Sequence, residues 1–408
     1  MDYFNFINSL YHFKSESTTN MNDHKKYPRF LNELPKDVTI NTLIPIYLSS
    51  IGPPNGKVNL FAEGKFGLVY SIVYPQYVFP GARVAKLPHL RNFNNLQALK
   101  ETFEKLFYEL EITSKLRTNP WINTFTEVEF FLNWPFLISR LWDGTLSDLI
   151  SDPSVWDHSD KLQVCILIVR GLMLSREQGI LTHQDLKPEN IFIRNAEKTA
   201  IAHILQLQGK SNPIGSQASG IKYWVKIGDL AMANAFTEFF KNAGSRPYQA
   251  PEQYRNDVID PSNASSVDVF ALGVIFHEMF SNGLHPLGIR TKDYWPRAIN
   301  GEKKWTREEV WKKWARRKEK ILHVTNYQCS EHLQALLKQM MAAKTETRPN
   351  YEHILKVLIQ ELSEVDANRA SSVKQESDYW ENEFLQNEDW PHQDNILKKA
   401  RLFYRDLK

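Results

Sequence analysis

From Val58 to Lys86, β-branched and aromatic residues recur in short runs, KVNLF, LVYSIVY and ARVAKL, punctuated by Gly64, Gly67 and Pro80-Gly81. Short apolar runs between glycine turns predict strands, and three in succession predict a small antiparallel sheet. The period then changes: Leu99, Phe103, Leu106, Leu110 and Thr113 fall on one face at helical spacing, predicting a long helix that ends near Arg117-Thr118-Asn119-Pro120. Beyond Trp142-Asp143-Gly144, apolar stripes of helical period cover 161–178, 268–280, 331–342 and 352–362. The pattern therefore predicts an α+β chain, a small sheet with one long helix followed by a larger, mainly helical part.

The flanks differ from this body. Residues 1–55 form an Asn/Ser/Lys-rich extension closed by the turn-forming Gly52-Pro53-Pro54-Asn55-Gly56, which marks a boundary. After about 363 a polar tail carries DYWENEF, NEDW and LKKARLFYRDLK, where paired charges with isolated aromatics predict a helix docked on the main body. The expected division is 1–55, 56–140, 141–362 and 363–408, with an enlarged loop over 195–222.

Composition narrows the class. At 408 residues and 42% hydrophobic content the chain can bury a substantial core. Fifty basic against 47 acidic residues leave a formal charge of +3, too near balance to make nucleic acid or an anionic membrane the expected partner. Only Cys165 and Cys329 occur, without metal-ligand spacing, which argues against a disulfide scaffold or zinc site and suits the cytoplasm. No apolar run approaches the roughly 20 residues of a membrane span, and the first residues do not read as a signal peptide.

The strongest chemical signal is His183-Gln184-Asp185-Leu186-Lys187-Pro188-Glu189-Asn190. A carboxylate, an ammonium and a carboxamide share one short loop. Asp185 can accept the proton of an attacking hydroxyl, Lys187 can neutralise a moving phosphoryl group, and Asn190 can hold a magnesium ion. This run resembles the catalytic loop of eukaryotic-type protein kinases, and Lys187 resembles the serine/threonine branch. The resemblance implies a two-lobed kinase fold, ATP and Mg2+ as cofactors, and protein hydroxyls as substrates. Gln184 departs from it, standing where the family usually has arginine, so a phosphorylated activation loop would find no charge there.

Other motifs follow in the family's order. Ala62-Glu63-Gly64-Lys65-Phe66-Gly67-Leu68-Val69 resembles the glycine-rich loop over ATP phosphates, with Ala62 replacing the first glycine. Lys86, ending an apolar strand, needs an anionic partner, and the resemblance supplies both ATP and an orienting helical glutamate, Glu109, with Glu111 as the alternative. It also implies Val69 and Ala85 over the adenine, Phe192 beneath it, and a hinge across Ser139, Arg140 and Leu141. Val225 to Ala231 resembles the Asp-Phe-Gly element, making Asp229 a magnesium ligand beside Asn190. Ala231 there carries a Cβ where the family has glycine.

Gly244 to Glu252 resembles the platform for a protein substrate: Ser245 would bond the catalytic Asp and Lys, Glu252 would pair with Arg348, and Asp268 would brace the catalytic loop. Residues 294–320 concentrate tryptophans among Lys and Arg; they read as an amphipathic helix, with protein docking expected before nucleic acid. Two rivals share parts of this pattern. A small-molecule kinase would lack Ser245, the Ala250-Pro251-Glu252 motif and Arg348. A pseudokinase scaffold is suggested by Ala62, Gln184 and Ala231, but Lys86, Asp185, Lys187, Asn190 and Asp229 are all present.

Overall fold

The computed structural model describes residues 40–50, 56–64, 67–73, 82–88, 96–131, 134–196, 221–238, 244–255, 257–294 and 329–386. The chain forms two compact units. One takes its described residues from 40–111 and 125–141, the other from 112–124 and 142–386.

The first unit is built on an antiparallel sheet of order β1-β2-β3-β5-β4. Its strands are β1 (Lys57–Gly64), β2 (Gly67–Val73), β3 (Ala82–Pro88), β4 (Phe125–Phe131) and β5 (Trp134–Arg140). Helix α2 (Leu96–Lys115), which belongs to this unit as far as Glu111, is the long helix the stripe predicted, with Leu110 fully buried. Successive strand residues face opposite sides. One face therefore gathers Tyr70, Ile72, Ala85, Leu87, Phe136 and Ile138, and α1 (Ile40–Ser50) closes it with Leu43, Ile44 and Leu48. Burying three such aliphatic side chains contributes on the order of 5 kcal/mol. The last part of the expected extension, set off at 55, is thus part of this unit's core.

The second unit is centred on two buried helices, α4 (His158–Glu177) and α6 (Ser265–Phe280). Around them lie α3 (Leu146–Ser151), α5 (Pro251–Arg255), α7 (Glu331–Met340), α8 (Tyr351–Val365) and α9 (Ala367–Gln386). Reciprocal side-chain bonds between Asp157 and Asp160 start α4, a capping box written in its first turn. At Gly171 a Cβ would stand 2.8 Å from Cβ of Trp121, so glycine is what lets that indole seat against α4. Asn119 also donates to the Gly171 carbonyl at 2.8 Å. These contacts explain why 112–124 belongs with the helices and not, as expected, with the sheet.

A three-stranded sheet, β6 (Gly144–Thr145), β7 (Ile191–Asn195) and β8 (Tyr223–Ile227), leads to the site. Ile191 pairs with Ile227 and Asn195 with Tyr223, so Asn190 and Gly228-Asp229 emerge at the same end. The pairing continues with Ala196 donating to the Lys222 carbonyl, and residues 197–220 of the expected enlarged loop lie outside the described residues. So do most of the tryptophan-rich stretch 294–320 and the NEDW and LKKARLFYRDLK segments. DYWENEF lies in α9, which packs on α4 as a docked tail helix. No described helix is long and apolar enough to cross a membrane.

Candidate active site

In the first unit Lys86 leaves β3 on the face opposite the α1-covered core. Its ammonium donates to both carboxylate oxygens of Glu109, at 3.0 and 2.9 Å. Glu109 is nearly enclosed while Lys86 remains about one-third exposed, so the pair presents a cation to one side. Val69 is directly opposite Lys86 in the β2–β3 register.

Two expectations for this unit change. Ala85 neighbours Lys86 along the strand and so faces the other way; it is fully buried in the core under α1 and cannot cover an adenine on the Lys86 face. Val84, opposite Ser139, occupies that face instead. At the expected hinge, β5 runs through Arg140, and the Leu141 amide donates to the Ala82 carbonyl at 3.0 Å. That amide is already paired, because strand pairing continues one residue past β5. Gly64 and Gly67 are register partners at the adjoining ends of β1 and β2, and Ala62 of β1 is exposed.

In the second unit the catalytic-loop residues converge. The Lys187 ammonium is 2.8 Å from Asp185 Oδ2 and donates to Ser245 Oγ at 3.2 Å. Burial works against the charge of Lys187, but Asp185 and Asp229 outweigh it and raise its pKa. Asp185 Oδ1 is buried with no hydrogen-bond partner among the described residues. An acceptor left open there is available to a hydroxyl.

Asn190 donates its Nδ2 to the Asp185 carbonyl at 2.9 Å, which leaves its carboxamide oxygen for another partner. With the Asp229 carboxylate this makes two hard oxygen donors, a set that fits magnesium, which binds few protein ligands and takes the rest from phosphate and water. Asp229 adopts φ 60, ψ 58, a left-handed conformation. Ala231, by contrast, lies in a 3-10 turn, Leu230–Met232, so its Cβ carries no left-handed strain in this arrangement.

His183 ties the loop to Asp229's strand. Its Nδ1 accepts from the Asp185 amide at 3.4 Å, so Nε2 carries the proton and donates to the Gly228 carbonyl at 3.0 Å. Asp268 accepts the amides of His183 and Gln184 at 2.6 and 3.0 Å. Burial raises its pKa, while the amides and His183 oppose that rise. At Gly228 a Cβ would strike the Phe192 ring at 2.4 Å, so glycine makes room for the residue expected beneath the adenine. Glu252 and Arg348 meet in a two-bond fork at 2.6 and 2.9 Å, with Arg348 also bonding the Ser266 and Ala342 carbonyls.

Sequence reasoning missed several partners. Val84 was findable, since residues two apart share a strand face. Gln184 proves to be structural: its Oε1 accepts the Phe236 amide at 2.9 Å and its carbonyl accepts from Gln253. Asn234 accepts the Leu181 and Thr182 amides through Oδ1, a contact that sequence spacing does not announce.

This arrangement is that of a phosphotransferase of the protein kinase type. The sequence pattern of the protein kinase domain matches residues 60–358, and the chain belongs to that family. It is similar to the sensor for unfolded proteins in the ER ire1 of Schizosaccharomyces pombe, 26% identical over 38% of this chain and 15% of that protein. It is also similar to protein kinase wis1 of the same organism, 23% identical over 55% of this chain and 32% of the relative. Eukaryotic translation initiation factor 2-alpha kinase 1 of Plasmodium falciparum is 30% identical over 28% of this chain and 6% of its own length. The chain thus spans about a third or less of each of these relatives.

Proposed function

We propose that this protein transfers the γ-phosphate of ATP to serine or threonine hydroxyls of protein substrates. The observation that carries the reading is Lys187, bonded to both Asp185 and Ser245 beside an unpartnered Asp185 oxygen. A substrate hydroxyl would donate its proton to Asp185 Oδ1 as its oxygen attacks the γ-phosphorus and the bond to ADP breaks. Lys187, kept charged by its carboxylate neighbours, would stabilise the charge on the phosphoryl group in flight. Lys86, oriented by Glu109, would hold nucleotide phosphates. Asp229 and Asn190 would hold magnesium, which when bound neutralises phosphate charge.

Ser245, with the Glu252–Arg348 fork behind it, favours a protein over a small-molecule acceptor. Both described cysteines are free, which suits a reducing compartment such as the cytosol. The test is to incubate the purified protein and magnesium with γ-labelled ATP and either basic and acidic proteins or small-molecule alcohols. Label on protein is expected. Label only on the alcohols would replace this reading by the small-molecule one.

A further inference from the structure

Helix α9 lies beyond residue 358, where the match to the kinase domain ends. Its inner face makes charged and aromatic contacts with the rest of the second unit. Arg170 of α4 donates to Glu381 through Nε at 2.6 Å and Nη2 at 2.7 Å, and through Nη2 to Asp378 at 2.5 Å. The Nε1–H of Trp121 donates to the same Glu381 carboxylate at 2.8 Å. Trp224 of β8 stacks on Trp121 at 5.9 Å and meets the Trp380 ring edge-on at 5.2 Å.

Trp121 is fully enclosed, and its backbone is an acceptor for the strand that carries the metal aspartate. The Ile227 amide donates to the Trp121 carbonyl at 2.8 Å, and the Asn123 amide donates to the Ile227 carbonyl at 2.8 Å. On its other side the Gly228 amide donates to the Asn190 carbonyl at 2.9 Å. Asp229 follows directly. Two residues before Asp229, the chain is therefore clamped to a segment whose indole is held by Glu381.

We infer that Glu381 is a positioning residue for Asp229: through Trp121 and Ile227, the C-terminal helix sets the placement of the magnesium-binding carboxylate. This rests on the reading of Asp229 as the metal ligand. A helix that only completed the core would contribute stability without affecting the metal preferentially. Placement through Trp121 makes a different prediction, because the buried indole N–H loses a charged acceptor, an interaction whose loss shifts an equilibrium by roughly tenfold.

The test compares wild type with Glu381→Ala, Glu381→Gln and Lys374→Ala in the full chain. Gln keeps an acceptor for the indole; Lys374 is exposed and pairs with Asp378 one turn further along the same helix. Two quantities are read: amide hydrogen exchange in the metal-free protein, and the gain in ATP affinity on adding Mg2+. In Glu381→Ala the Ile227 and Gly228 amides are expected to exchange about tenfold faster, with the Mg2+-dependent gain falling by a similar factor. Glu381→Gln should recover part of both, and Lys374→Ala should match wild type. If Glu381→Ala does not fold, a smaller loss of the same two kinds in Glu381→Gln carries the test. Unchanged Mg2+ dependence, or faster exchange spread evenly over the second unit, overturns the inference. If wild type binds Mg-ATP with these dependences but phosphorylates no protein, the proposed transfer fails and the positioning role stands.

Discussion

Replacing Arg348 by methionine removes a guanidinium from an enclosed site. The Arg348 side chain is fully enclosed and its partner Glu252 only 11% exposed. Both Glu252 oxygens accept from Arg348, the Ser266 and Ala342 carbonyls accept from it too, and Phe270 lies 5.0 Å beneath the guanidinium. Methionine retains packing over that ring but leaves a buried carboxylate uncompensated, at about 3–5 kcal/mol. The two orphaned carbonyls add to that cost. Glu252→Gln combined with Arg348→Met removes the stranded charge, so the double variant should recover roughly 2 kcal/mol of the single loss. Urea unfolding followed by tryptophan fluorescence, in all four proteins, gives the cycle. If Arg348→Met costs under about 1 kcal/mol, or the two changes are simply additive, the fork is not the buried, coupled pair described here.

The remaining expectations concern chemistry and pH. Asp185→Asn should reduce phosphoryl transfer by about 100-fold or more while ATP affinity stays near wild type; unchanged turnover removes Asp185 from the mechanism. Asp229→Asn should weaken the Mg2+-dependent part of ATP binding, and equal Mg-ATP affinity in both proteins would show the metal assignment to be wrong. Thr237→Ala should leave basal activity largely intact, since Gln184 holds the Phe236 amide without a phosphate; collapse of activity in that variant would contradict this. Burial pushes the Glu278 carboxyl up to about 8 from 4.5, so between those pH values the folded state keeps a proton the unfolded chain has released, and stability falls as pH rises. Glu278→Gln should flatten that slope in melting temperatures taken from pH 5 to 8.5, and an identical slope would remove Glu278 as its source.

Chemistry confined to a few consecutive residues was legible before any coordinates. Asp185, Lys187 and Asn190 sit in one loop, and Lys86 ends an apolar strand and must find an anion, so motif order and helical spacing led to Glu109. What failed was orientation. The resemblance implies Ala85 over the adenine, although Ala85 and Lys86 are strand neighbours that face opposite sides, and a hinge across Leu141, whose amide the strand pairing already engages. Long-range partners leave no local trace: Trp121 and Glu381 are 260 residues apart, and their bond depends on α9 lying against α4. Helix α1 was hidden for another reason, since its apolar residues Leu43, Ile44 and Leu48 sit beside an Asn-rich stretch whose composition reads as unstructured.

The most direct test is phosphoamino-acid analysis of protein labelled by the purified chain with γ-labelled ATP and magnesium, run beside Asp185→Asn. Phosphoserine or phosphothreonine formed by the wild type and reduced by about 100-fold or more in the variant is the expected result. Phosphotyrosine alone would contradict the assignment of Lys187 and Ser245 to a serine/threonine acceptor, and equal labelling by both proteins would contradict the catalytic role of Asp185.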